Sequence, residues 1–121
     1  MEELIIYIKK RVLRSGVYIE IKRDAITYTE ISKEPKIISD VNFIDKILNE
    51  VYLPIREQLK EHKNNLENMQ LNRPKNSASY ELAIWDNEFK ARFDLYVTEM
   101  PEEIREFCDT LVKEIENILL T

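Results

Sequence analysis

The sequence is poor in the residues that most catalytic and cofactor-binding motifs require. Its 121 residues include one glycine, one cysteine and one histidine. A loop that cradles phosphate groups needs several glycines, so a nucleotide-binding glycine loop is excluded. A single cysteine, Cys108, excludes an internal disulfide and a zinc site built from cysteines, and we expect it in the core. The lone histidine, His62, falls in a helical pattern, where we expect a surface or boundary residue rather than part of a catalytic triad.

Long apolar runs are also missing. No window approaches the ~18 apolar residues of a membrane span. The N-terminal sequence MEELIIYIKK has an acidic start and a short apolar run, unlike a secretory signal peptide. The chain is 44% hydrophobic and 34% charged, which is typical of a globular protein. We therefore expect one soluble α+β domain over residues 1–121, located in the cytoplasm and not bound to membranes.

Negative charge is concentrated in the final third of the chain. Residues 77–121 carry four bases and eleven acids, whereas residues 1–39 carry eight bases and six acids. Proteins that bind nucleic acid neutralise phosphates with basic residues, so this balance argues against nucleic acid as a partner. An acidic surface favours a basic protein surface, and it also keeps a protein in solution.

Residues 79–97, SYELAIWDNEFKARFDLYV, alternate between apolar and polar side chains and predict a β-hairpin. A two-residue loop at Asp86-Asn87 makes Ile84 face Phe89 and places Glu81 opposite Arg92. The apolar face then contains Tyr80, Leu82, Ile84, Phe89, Ala91 and Phe93. The only tryptophan, Trp85, lies on the other, polar face, where a loop of its own chain shelters it or a partner covers it.

The N-terminal part of the chain predicts further strands. Residues 17–31 fit a hairpin with its loop at Arg23-Asp24. Residues 2–13 fit either a strand or a helix, and their isoleucine and tyrosine content favours a strand. We expect Gly16 to adopt a left-handed conformation in the turn that follows. The basic residues of Lys9–Arg14 are typical of an edge strand that is protected by charge.

Two helical regions complete the pattern. The first begins near Ser39 or Asp40, and at Pro54 we expect a kink or the start of a second helix. The last follows Pro101 and has an apolar stripe comprising Ile104, Phe107, Cys108, Leu111, Ile115, Ile118 and Leu119. The order hairpin, helix, hairpin, helix predicts an α+β fold, with an antiparallel sheet of four to five strands and helices packed on one face.

Two features are candidates for function. Trp85 is one, because tryptophan is enriched at the centres of protein interfaces. The other is an acidic cluster at the start of the last helix, formed by Glu102, Glu103, Glu106 and Asp109. These carboxylates fit a solvated helix face that steers a basic partner, or a site for a hard metal ion such as Mg²⁺. We assign no catalytic residue, metal ligand or cofactor.

The element order resembles that of small bacterial immunity proteins, peptidase inhibitors and acidic secretion chaperones, a likeness of architecture without signature residues. We therefore expect a non-enzymatic protein-binding domain. The leading hypothesis is an inhibitor, either a bacterial immunity protein or a phage anti-defence inhibitor, that neutralises a basic partner protein by steric blockade. One alternative is a homodimeric scaffold or secretion-chaperone-like protein. The other is a metal-dependent hydrolase that uses the acidic cluster.

Overall fold

The computed structural model describes residues 4–12, 15–67, 79–96 and 100–120. They form strands β1 (Ile5–Val12), β2 (Ser15–Lys22), β3 (Ile26–Glu30) and β4 (Lys36–Ile38), helix α1 (Val41–Ile47), a π-helical turn (Leu48–Tyr52), helix α2 (Leu53–Glu67), strands β5 (Ser79–Trp85) and β6 (Lys90–Tyr96), and helix α3 (Glu102–Leu120). The predicted α+β fold is confirmed.

The described strands form one antiparallel sheet in the order β4-β3-β2-β1-β5-β6. It has six strands instead of the expected four to five, because the three-residue strand β4 pairs with β3. The ambiguous N-terminal segment is strand β1. It lies between β2 and β5, so the prediction that its basic residues mark an edge strand is wrong. Lys9, Lys10 and Arg11 instead project from the middle of the sheet.

The first hairpin has the register that its sequence predicts. Ile21 pairs with Ile26 and Ile19 with Tyr28, and the Lys22 N–H donates to Ala25 O across the two-residue loop. The expected left-handed Gly16 is wrong, because this residue lies within β2 and has no positive φ. A Cβ at Gly16 would lie 2.8 Å from Cδ1 of Ile31, so glycine permits a close approach of two segments here.

The second hairpin differs from its predicted register by two residues. Trp85 pairs with Lys90 and Ala83 with Arg92, so the loop has four residues, 86–89, rather than two. The Asp86 N–H donates to Phe89 O, and the Asp86 side chain accepts from the Glu88 N–H. A shift of two leaves every side chain on its predicted face, since the side-chain period of a strand is two.

The helical region begins at the predicted cap. Asp40 Oδ1 accepts from the backbone N–H groups of Asn42 and Phe43. The expected interruption at Pro54 takes the form of the π-helical turn, in which the Leu53 N–H donates to Leu48 O. Proline lacks an N–H and clashes with the carbonyl four residues back, and the wider turn before Pro54 accommodates both effects.

The helices pack on one face of the sheet, as predicted. Buried side chains of the sheet, such as Ile6, Ile84 and Phe93, share one core with Ile44 and Leu111 of the helices. The expected α3 stripe is confirmed at five positions, Ile104, Phe107, Cys108, Leu111 and Ile115, whereas Leu119 is only partly buried and Ile118 is 45% exposed. None of the described helices is both long and apolar enough to cross a membrane.

Candidate functional site

The sheet has a second face that points away from the helices. Ile6, Ile8 and Ile84 point into the helical core, so their neighbours Ile5 and Trp85 point to the other side. We call this side the open face. Across β2, β1, β5 and β6 it presents Tyr18, Glu20, Lys22, Ile5, Tyr7, Lys9, Arg11, Glu81, Ala83, Trp85, Lys90, Arg92 and Asp94.

Trp85 lies on the open face and is 45% exposed. It sits between Ile5 of β1 and Lys90 of β6 in the paired ladders. Tyr18 of β2 is farther away, because β1 separates β2 from β5. The 64–78 loop, which was one of the two possible covers for Trp85, lies mostly outside the described residues. Within the described chain, the indole presents a large apolar surface at the end of a strand.

A concavity of about 650 Å³ lies beside Trp85. Its lining includes Ile5, Tyr7, Ala83 and Trp85, with the charged side chains of Glu20, Glu81, Lys90 and Arg92 around them. Apolar surface ringed by a few polar groups is the usual character of a binding site. This concavity combines an exposed aromatic side chain with a charged border.

Glu81 holds two arginines on the open face. Its Oε1 accepts from Arg92 Nη2 at 2.6 Å, and its Oε2 accepts from Arg11 Nη2 at 3.2 Å. The Glu81 side chain is only 11% exposed, whereas that of Arg92 is 71% exposed. A nearly buried carboxylate requires partners, and two guanidinium groups supply them. The hairpin sequence predicted the Glu81–Arg92 contact, but it forms diagonally, since Arg92 pairs with Ala83.

Aromatic rings continue the open face toward β2. The rings of Tyr7 and Tyr18 lie 6.4 Å apart in a tilted arrangement, and Lys9 Nζ lies 4.7 Å from the centre of the Tyr18 ring. Partial burial raises the pKa of Tyr7, and the negative charge of Glu81 raises it further. Tyr7 therefore stays neutral and is available for apolar and hydrogen-bonding contacts.

The acidic cluster lies on a different side of the molecule. Helix α3 packs in the core through residues such as Ile104 and Leu111, and Glu102, Glu103, Glu106 and Asp109 are exposed. Because Trp85 points away from that core, the structure does not bring the acidic cluster and Trp85 together.

Among the residues that the structure describes, two of these acids have side-chain partners. Glu103 Oε1 lies 3.3 Å from Nε2 of His62, which is a boundary residue as expected. Asp109 accepts a hydrogen bond from the hydroxyl of Tyr80. Across the described residues, no three His, Cys, Asp or Glu side chains come together as a metal site would require. Cys108 is fully buried, and burial raises the pKa of its thiol.

A second polar cluster joins the β5–β6 loop to the helices. Asp86 Oδ2 accepts from Tyr52 Oη at 2.6 Å and Arg56 Nε at 2.8 Å, while its Oδ1 accepts from Arg56 Nη2 at 2.7 Å. The Arg56 guanidinium holds the pKa of Asp86 well below its usual range. Burial and the bond to Asp86 raise the pKa of Tyr52. The cluster borders a cavity of about 260 Å³ and fixes the loop next to Trp85.

The sequence reasoning missed the two clusters that organise this region. Arg56 and Asp86 are 30 residues apart, and Arg11 and Glu81 are 70 apart. Only the order of strands, which places β1 beside β5, brings the second pair together. Comparison with protein-family models, with curated proteins and with solved structures found no match.

Proposed function

We propose that this protein is a non-enzymatic protein-binding domain that works as an inhibitor or immunity-type protein in the cytoplasm. It covers part of one partner protein and blocks it sterically. The observation that carries this proposal is the half-exposed Trp85 beside the concavity on the open face. The open face extends across four neighbouring strands, β2, β1, β5 and β6, which supports a footprint wide enough for blockade.

The indole supplies enough surface to anchor a complex. A tryptophan buries roughly 150–250 Å² in total, so its 45% exposed part amounts to about 70–110 Å². At ~25 cal/mol/Å², covering that part stabilises a complex by about 2–3 kcal/mol. Replacing Trp85 with alanine should therefore weaken binding about 30- to 100-fold, since each 1.4 kcal/mol is tenfold.

The acidic cluster gives the proposal a second, separate component. Glu102, Glu103 and Glu106 are exposed on α3, away from the open face. In this proposal they attract a basic region of the partner at long range or repel an incorrect approach. Such steering is weakened by salt, because the Debye length falls to ~3 Å at 1 M. The anchor at Trp85 should depend on salt much less.

The experiment compares three forms of the protein as immobilised baits in a native host lysate. They are the wild type, Trp85→Ala and Ile118→Ala. Ile118 is a matched control, because it is also 45% exposed but lies on α3. The expected result is a protein captured by the wild type and by Ile118→Ala, and lost with Trp85→Ala. Circular dichroism verifies that both variants fold.

The captured protein is then assayed for its own activity. An inhibitor at equimolar concentration should suppress that activity, and Trp85→Ala should not. Equal capture by all three baits would show that the open face is not the docking surface. Retained activity in a saturated complex would show that binding is not inhibitory.

Self-association is the second candidate function. Ile37 of β4 is 65% exposed and points to the same side as Trp85, because its neighbour Ile38 is buried in the core. Two exposed apolar side chains near opposite edges of one face would suit a homodimeric scaffold. Light scattering separates the two functions, since a stable dimer that dissociates in Trp85→Ala supports the scaffold.

A further inference from the structure

The open face is basic, although the chain as a whole carries a net charge of −5. On the described strands β1, β2, β5 and β6, five bases point to this side and three acids accompany them. The bases are Lys9, Arg11, Lys22, Lys90 and Arg92, and the acids are Glu20, Glu81 and Asp94. The molecule therefore presents a basic sheet face and an acidic helix α3 in opposite directions.

The positive charge next to the concavity is held in place. Glu81 carries one negative charge and binds two arginines, so the group of Arg11, Glu81 and Arg92 has one positive charge in excess. Arg92 uses Nη2 for Glu81, and most of its side chain is still exposed. A guanidinium that is positioned by one carboxylate is well suited to bind a second, through its planar fork of donors.

The apolar surface of Trp85 lies next to the charge of Arg92 on the open face. Trp85 pairs with Lys90, and the next outward pair along the hairpin is Ala83 with Arg92. Side chains of two consecutive outward pairs lie close together on the sheet surface, so one bound segment can contact both of them. The site therefore offers an aromatic surface and two cationic groups side by side.

We propose that the open face binds an acidic segment of the partner protein, with an apolar side chain on Trp85 and a carboxylate at Arg92. This inference rests on the proposed protein-binding function and names the chemistry of the partner. It differs from the basic partner that the composition predicted, because that expectation came from α3 and not from the surface that carries Trp85.

A nucleic acid is also anionic, but it fits this face less well. Its phosphates form a continuous row of charge, which requires a groove of uninterrupted positive potential. Here Glu20, Glu81 and Asp94 are interspersed among the bases, and the excess is two charges. The carboxylates of a peptide are separated from one another and can each contact one base of the open face. The mixture of bases and acids on this face therefore favours a protein segment.

The test uses the fluorescence of Trp85, which is the chain's only tryptophan and lies in the proposed site. The probes are two short peptides of equal length without tryptophan, which contain Phe and Leu and differ only in Glu against Lys. A single-stranded oligothymidylate is the third probe. The acidic peptide should shift the Trp85 emission in a saturable manner, and rising salt should weaken its binding severalfold.

Two variants examine the charge, and one serves as a control. Arg92→Glu should weaken binding of the acidic peptide by about tenfold or more. Lys90→Glu should act in the same direction without touching the contacts of Glu81. Lys113→Glu makes the same charge change at an exposed position of α3 and should leave the affinity unchanged. Circular dichroism confirms the fold of each variant.

Each other outcome contradicts the inference in a distinct way. Tighter binding of the basic peptide would show that the open face docks proteins but selects the opposite charge, so the proposed function would survive. Tighter binding of the oligothymidylate would assign the face to nucleic acid. If no probe changes the Trp85 emission, the acidic segment is rejected. The lysate experiment with Trp85→Ala then decides separately whether the open face docks a protein. A stable dimer in light scattering would identify a second copy as the occupant.

Discussion

Replacing Asp86 with asparagine should destabilise the protein substantially. The Asp86 carboxylate accepts three hydrogen bonds from the side chains of Tyr52 and Arg56, and its side chain is only 11% exposed. Asparagine keeps the shape and one acceptor oxygen, but it removes the negative charge and replaces the other oxygen with a donor. Arg56 then keeps its ion pairs with Glu57 and Glu88 and its position over the Phe89 ring.

The magnitude follows from the burial of the pair. Hydrogen bonds to charged groups contribute about 1.5–3 kcal/mol, and removing one partner of a fully buried pair costs about 3–5 kcal/mol. The Asp86–Arg56 pair is partly buried, and the neighbouring carboxylates compensate in part. We therefore expect the free energy of unfolding at pH 7 to fall by about 2–3 kcal/mol, which lowers Tm by roughly 8–12 °C for a chain of this size.

The effect of Asp86→Asn should depend on pH. The pKa of Asp86 is lowered in the folded protein, first by its hydrogen bond with Arg56. The stabilisation is therefore complete above the unfolded pKa of about 3.9 and is lost as the pH falls toward the folded pKa. The difference in unfolding free energy between wild type and variant should be largest at neutral pH and should shrink below pH ~4.

The assay is urea denaturation followed by circular dichroism at neutral and acidic pH. Glu57→Gln is the matched control, because it also replaces a carboxylate that contacts Arg56 with an amide. The Glu57 side chain, however, is 71% exposed. It should change the free energy of unfolding by less than about 0.5 kcal/mol. Equal effects of the two substitutions, or an Asp86→Asn effect that persists unchanged in acid, would refute the reasoning.

Three further substitutions test how α3 packs against the sheet, and thermal or urea unfolding measures each of them. Ile104→Ala should lower the free energy of unfolding by about 2–5 kcal/mol, because this side chain is fully buried. Ile118→Ala should lower it by less than about 1 kcal/mol, because Ile118 is exposed. Similar losses for the two variants would mean that α3 packs in another orientation. Tyr80→Phe should cost about 1–2 kcal/mol because the hydroxyl of the buried Tyr80 donates to Asp109, and a neutral effect would argue against that bond.

The faces of the strands could be predicted from the sequence because they depend on local alternation. Ile19 and Ile21 face the core, and Trp85 faces away from it, as the period of two requires. The register of the second hairpin could not be found in this way. A shift of two residues preserves both faces, so alternation alone does not distinguish the two registers. In the observed register the loop residue Asp86 binds Arg56 of α2, 30 residues away, and no local pattern specifies that contact.

Only part of the candidate site could be predicted from the sequence, because the rest depends on contacts between distant segments. Trp85 could be located because its place on the polar face follows from the hairpin alone. The basic character of that face could not, because Arg11 reaches Glu81 only when β1 pairs with β5. That pairing joins strands almost seventy residues apart in the chain, and no local pattern specifies it. The negative charge of α3 could be predicted from the sequence, but α3 lies on the other side of the sheet from Trp85.

The most direct test of docking through the open face is acrylamide quenching of Trp85 in the free protein and in its complex with the captured partner. Because Trp85 is the chain's only tryptophan and is half exposed, the free protein should be quenched efficiently. Partner tryptophans are replaced by phenylalanine so that the signal comes from Trp85 alone. We predict strong protection of Trp85 in the complex. Quenching that stays the same when the partner is bound would contradict docking through the open face.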